Sequence, residues 1–543
     1  MRSLLLAAAL LAVPTTAHAF CGFYVAGSDK PMFNDATQVV LMRSGTRTVL
    51  SMQNNYKGPP EAFAMVIPVP TVLHDGDVKI LDPEVFEVVE RMGSPRLVEY
   101  WEQDPCTNYG DEDESGGTGT AMALEEGKMG KKDSDTGVTI EAQFTVGEYQ
   151  VVILSATDST GLDKWLKREK YQIPTGAEPL LRPYVEGGSK FFVAKVDPKK
   201  VKFVDGRAQL SPIRFHYDSD TFNLPIRLGL ANSSGAQDLI VNILAPNQRY
   251  EVANYPNVTI PTNITVKEAV RDKFAQFYVA LFDATLEKNP SAVVTEYSWD
   301  ASSCDPCPGP TLDYADFQTL GADVLKPSNE DLEEGRMGKG GRRWGGGGFT
   351  LTRLHARYGK DLKDDLVFKE ADPIVGGREH VVDAKTGKLE EGARKDSYNN
   401  FQARYAIRHP WTGPIACANP IRNRWGGKDG MDVWSQPPPR RPTRQTGQYQ
   451  MKNKQEAETE IKPATDLAFA PRGMKLETAV EQDIPELNLK AVAGAIVGVD
   501  ATKPPAADGK PVKKTGCGCA SGDASGGLLF GLFGLAFLIR RRR

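Results

Sequence analysis

The chain has 543 residues, 25% of them charged, with seven cysteines and a formal net charge of −4. Its length exceeds the roughly 250–300 residues that one hydrophobic core organises, so more than one compact unit is expected. The charge balance offers no basic face on the scale nucleic-acid binding requires, and that class of partner is set aside.

The amino terminus, MRSLLLAAALLAVPTTAHAF, carries Arg2, an apolar run from Leu4 to Val13, and then Ala17-His18-Ala19. This is the pattern of a secretory signal peptide cleaved after Ala19; it assigns residues 1–19 to export and makes the secretion machinery and signal peptidase partners. Phe20, not a small residue, precedes Cys21, which argues against a lipoprotein signal. Export places Cys21, Cys106, Cys304, Cys307 and Cys417 in an oxidising compartment as candidate disulfide cysteines. Their odd number leaves at least one thiol free, paired between chains, or paired with the tail.

TQVVLMRSGTRTVLSM, residues 37–52, predicts a hairpin turning at Ser44-Gly45. AFAMVIPVP follows, and its prolines suit an edge strand. DPEVFEVVERM predicts a helix with Asp82 as cap, Pro83 at the first position, and Val85, Val88 and Val89 on one buried face. Residues 107–137 are charged and glycine-rich, which predicts a mobile loop. Asp111, Asp113 and Ser115 open it like a calcium loop, but Met122 stands where a bidentate glutamate is required.

Beyond that loop VTIEAQFTVGEYQVVIL reads as strand, and STGLDKWLKREKY as a short helix with Leu162, Trp165 and Leu166 on one face. KFFVAKVD, SPIRFHYDSD, LPIRLGL and QDLIVNILA add short strands. ITVKEAVRDKFAQFYVALFDATLEKNP is the clearest helix: Thr265 and Glu268 form a capping box, and Val270, Phe274, Phe277 and Leu281 line one side. SAVVTEYSWD returns as a strand, the glycines of residues 333–348 forbid a packed element, and FTLTRLHARYG alternates like a strand. After about Val433 the chain becomes proline-rich and charged, which predicts an extended spacer over 434–515. The expected fold is α+β: a strand-rich body over 20–433 in two subdomains, with a few amphipathic helices and disordered acidic and Gly/Pro-rich loops.

Cys304-Asp305-Pro306-Cys307 is the sharpest internal motif, and a structural disulfide, thiol redox chemistry and metal ligation all use this spacing. Pro308 and Pro310 follow where a redox motif would open a helix, and no second ligand pair exists for zinc. A structural disulfide is the favoured reading. His74, His216, His355, His380 and His409 are scattered with no H-E-x-x-H, and there is no G-x-S-x-G or S-x-x-K. No catalytic, cofactor-binding or metal residues are assigned, no cofactor is implied, and the reading leans away from an enzyme.

The carboxyl end reads TGCGCASGDASGGLLFGLFGLAFLIRRRR. Its apolar run, Gly526 to Ile539, is 14 residues long. As a helix it reaches about 21 Å against a hydrocarbon core of about 30 Å, too short for a permanent anchor but serviceable as a transient one. Arg540, Arg541, Arg542 and Arg543 would form the cytoplasmic stop. The order Cys517-Gly518-Cys519, small-residue spacer, apolar helix and terminal arginines resembles the MYXO-CTERM sorting signal, over 516–543. That resemblance implies cleavage by a myxosortase-like intramembrane protease, transient residence in the inner membrane, lipid modification at Cys519 or Cys517, and display on the outer membrane or cell surface.

FCGFYVAG, LSPIRFHYDSD with LPIRLGL, TRLHARYGKDLKDDLVF and CDPC resemble the domain of unknown function 2330 family, across residues 20–430. The resemblance implies no particular activity. The expectation is therefore an exported, surface-anchored protein with a structural, adhesive or binding role. The alternative is an envelope thiol-disulfide oxidoreductase using Cys304 and Cys307.

Overall fold

A computed structural model of the protein describes residues 23–26, 33–57, 63–106, 138–169, 171, 176–204, 207–232, 237–325, 348–359, 364–383, 388–428, 462–463 and 470–498. The chain divides into two units at Asp508, and the second, Gly509–Arg543, lies outside the described residues. So do Ala19, Cys21, the acidic loop 107–137, the glycine run 333–347, Cys517, Cys519, Arg540, Arg541, Arg542 and Arg543.

Strands Phe33–Ser44 and Arg47–Lys57 form the expected hairpin, with Gly45 at φ +56° in the turn, a conformation that costs glycine nothing. They start a 13-stranded sheet whose centre runs Arg47–Lys57, Phe33–Ser44, Gln237–Pro246, Phe349–Tyr358, Val293–Asp300. The pairing of Phe33–Ser44 with Gln237–Pro246 is parallel, and the other central pairings are antiparallel. A second, five-stranded antiparallel sheet runs Phe23–Ala26, Phe63–Val69, Lys190–Val196, Tyr149–Ala156, Val138–Val146. The two sheets share an apolar core in which Val39, Leu41, Val241, Ile243 and Leu354 meet Met65, Ile67, Val151, Ile153 and Phe192. The outer face of the second sheet is covered by helices Ser159–Arg168 and Ala177–Glu186 through Leu162, Trp165, Leu166 and Leu181.

Helices Glu84–Gly93 and Phe274–Lys288 cover the other face of the central sheet. A third sheet places Arg404–His409 parallel to Arg96–Glu102, with Ile264–Thr265 along one side. Strand-rich with five α-helices among the described residues, the protein is α+β as expected.

Four local expectations change. Phe63–Val69 is an interior strand, buried at every position. Pro68 stands opposite Phe191 of the neighbouring strand Lys190–Val196. Thr265 does not cap the long helix. It lies in a strand, its N–H donates to Gln482 Oε1 at 2.9 Å, and a 3₁₀ turn, Glu268–Lys273, precedes the helix at Phe274. LPIRLGL is a strand only at Leu224, since the Ile226 and Arg227 N–H groups turn onto Asp365 Oδ1 at 3.0 and 3.2 Å. Finally, residues 470–498, inside the expected spacer, pack into the core beside Phe274–Lys288 through Met474, Leu476, Ala479, Val480 and Ile484.

Candidate functional site

Strand Phe349–Tyr358 alternates with the period-two rule. Leu354 and Ala356 face the shared apolar core, while Arg353, His355 and Arg357 project beneath the two covering helices. On the neighbouring strand the register shifts between Thr295 and Tyr297, a bulge that carries Glu296 to the same side. Glu296 is fully buried there, between the apolar clusters on either side.

Its carboxylate accepts from Arg353 Nε at 2.7 Å, meets His355 Nδ1 at 2.7 Å, and also accepts from the Tyr278 hydroxyl. Arg353 continues to Glu90 of the first helix with two bonds, at 2.7 and 3.0 Å. His355 Nε2 faces Asp238 Oδ1 at 3.7 Å, an ion-pair distance and not a hydrogen bond, and Phe282 stacks on the ring at 3.8 Å between centroids. Arg357 binds Asp238 at 2.6 Å and Asp283 at 2.6 Å, and Asp283 takes a further bond from Arg472. Burial alone would push the Glu296 carboxyl up, but His355, then Arg353 and Tyr278, outweigh it and hold it at about 2. Burial opposes charge on His355 as well, yet Glu296 and Asp238 raise its pKa above the usual imidazole value. The seam is an ionic network in which His355 and Arg353 hold Glu296 charged, and Glu296 and Asp238 favour the charged form of His355.

The Cys304–Cys307 disulfide sits on the loop that leaves strand Val293–Asp300. Arg96, fully buried, reaches across to donate to the Pro306 carbonyl at 2.8 Å and also to the Met92 carbonyl. Gln402 donates to the carbonyls of Asp305 and Gly377. Arg404 bonds Tyr100 at 2.9 Å and Asn263 at 2.7 Å, and lies 3.1 Å from Glu379. Burial raises the Asp305 pKa, with Arg404 and Arg96 opposing it. Cys304 and Cys307 are partly buried, and the next helix, Tyr314–Phe317, begins seven residues on, capped by Asp313. A thiolate here would lack a helix amino terminus, and the Arg96 guanidinium that reaches Pro306 is engaged with carbonyls. The arrangement suits a latch for the loop better than an attacking thiolate.

Cys106 and Cys417 form a second disulfide, 311 residues apart in sequence, that joins the end of Arg96–Glu102 to the chain beyond Arg404–His409. Beside it His409 stacks on Trp101 at 4.7 Å and contacts Glu99 Oε2 at 3.0 Å, which also accepts from Arg271 at 2.6 Å. His74 and His216 both approach Asp77, each at 3.4 Å; Asp77 and His216, with Arg47, Thr71, Tyr217 and Asp218, line a pocket of about 210 Å³. Burial lowers the His216 pKa, with Asp77 opposing. His380 is exposed. No group of three metal-ligating side chains comes together among the described residues.

Sequence reasoning set these five histidines aside individually, whereas the fold brings His74 and His216 to Asp77 and buries His355 with two carboxylates. The alternation in TRLHARYG was the available signal. The acidic partners lie on other strands and helices, and no spacing rule reports them.

Fold and site together define a strand-rich α+β protein cross-linked by disulfides and held by a buried ionic seam. A family model, "Uncharacterized protein conserved in bacteria (DUF2330)", matches residues 15–369, and the chain belongs to that family. No curated protein and no solved structure matches it.

Proposed function

We propose that this is an exported, surface-anchored protein whose body is a non-enzymatic structural or binding module. Removal of the leader at Ala19 would send the body out, and the tail around Cys517 and Cys519 would hold it. The observation that carries the reading is the pairing of Cys106 with Cys417 across 311 residues, alongside Cys304 with Cys307. Disulfides of this kind persist in oxidising compartments and are rare in the cytosol. The titratable seam at Glu296 supports the non-enzymatic half, because Glu296, Arg353 and His355 are buried and Glu296 is bonded to both of the others.

Truncation after Lys514 tests the anchoring. The shortened protein is expected in the culture medium, and its retention on cells would refute the tail as anchor. The incomplete burial of Cys304 and Cys307 supports the alternative reading, thiol-disulfide exchange in the envelope. Titration with graded dithiothreitol followed by intact mass separates the two: a bond that cycles at mildly reducing potentials favours exchange.

A further inference from the structure

Residues 470–498 form a closed loop. Lys475 N–H donates to Val497 O at 2.8 Å and Val492 N–H to Glu477 O at 2.7 Å. The neck closes at Gly473 and Gly498, at φ +115° and +87°, where a Cβ on Gly498 would lie 2.1 Å from the Gly473 carbonyl oxygen. Only glycine lets the two ends pass that close. The loop thus has its own internal framework.

Its docking face is equally specific. Ala479 and Val480 are fully buried against the helix Phe274–Lys288, and Val480 pairs antiparallel with Val266. Lys267 N–H donates to Ala479 O and Glu481 N–H to Thr265 O, both at 2.9 Å. The Lys267 ammonium gathers three loop carbonyls, Thr478 and Val492 at 2.7 Å and Gly494 at 3.0 Å, which uses all three of its protons. Arg472 and Lys288 add contacts to Asp283 and the Glu486 carbonyl.

We propose that residues 470–498 are a non-covalent clasp. The face made by Ile264 to Lys267 and helix Phe274–Lys288 is a binding site for this loop, and it holds the loop without the peptide bonds joining it to residue 428. The clasp deepens the anchoring reading, on which only its biological consequence rests. An anchored carboxyl end would keep the body at the surface even after the intervening chain is cut.

The test uses the full chain with a site-specific protease sequence inserted between Gly447 and Gln448. After complete cleavage the two fragments are expected to co-elute on gel filtration. Lys267→Met is expected to speed their separation by about tenfold or more, the weight of hydrogen bonds to a charged group. Val480→Asp is expected to release the fragment outright, with circular dichroism of the uncut variants reporting that the body is folded. Separation of the fragments on cutting the otherwise unaltered chain overturns the clasp. The same cut on intact cells reads anchoring independently: co-elution in vitro with release from cells counts against the anchor alone.

Discussion

On one face of strand Phe349–Tyr358, Leu354 and Ala356 pack among aliphatic side chains from two sheets. On the other, Arg353, His355 and Arg357 meet Glu296, Glu90, Asp238 and Asp283. The apolar face gains from area removed from water, about 1.5–3 kcal/mol for each fully buried large side chain, and it accepts any shape that fills the space. The ionic face must first overcome desolvation, so its net contribution to stability is small while the penalty for breaking it is large. It is also directional. Glu90, Tyr278 and Asp283 come from the two covering helices and Arg472 from the clasp, so the seam is satisfied only when all three elements are seated.

Arg353→Met alone should produce the largest loss, about 3–5 kcal/mol, because Glu296 and Glu90 are left facing each other beneath the helices. Adding Glu296→Gln should return part of that loss in chemical denaturation. A double variant no more stable than the single would show that the two faces obey the same rule. Leu354→Ala, on the apolar face, should cost about 2–4 kcal/mol with no rescue from any charge change. Replacing Cys106 and Cys417 together by alanine should cost about 2–4 kcal/mol, read as a lowered denaturation midpoint under non-reducing conditions.

The smallest effect concerns pH. Glu296, held at about 2 against an ordinary 4.5, contributes stability that is present above 4.5 and lost as pH falls toward 2. His355, raised above its ordinary 6.5, contributes stability that is complete below 6.5 and lost as pH rises through its folded value. Both contributions are complete between 4.5 and 6.5. Thermal melts across pH should therefore decline on the alkaline side, and His355→Gln should flatten that decline while leaving the acid side in place. An unchanged alkaline limb in the variant would remove His355 from the account.

The sequence announced elements whose signal is local. Val85, Val88 and Val89 repeat at helical spacing and are buried on one helix; Leu162, Trp165 and Leu166 do the same on another. The hairpin at Gly45 was equally legible, because its turn chemistry lies between two apolar runs. Expectations failed where a distant segment competed for the backbone. Thr265 was drawn into a strand beside Arg404–His409, and Asp365 bent the chain at Ile226. Helix Ala177–Glu186 carries Pro183 inside it, which concealed it from a pattern search. The candidate site was legible as cysteine motifs and as an alternating basic strand. The pairing of Cys106 with Cys417 and the acidic half of the seam depend on strand order, which one sequence does not contain.

Disulfide mapping of the protein purified from its own cells, with free thiols blocked at lysis, should recover two linked peptide pairs, Cys106 with Cys417 and Cys304 with Cys307. Recovery of Cys106 and Cys417 as blocked free thiols would contradict both the long-range staple and the exported, oxidised body built on it.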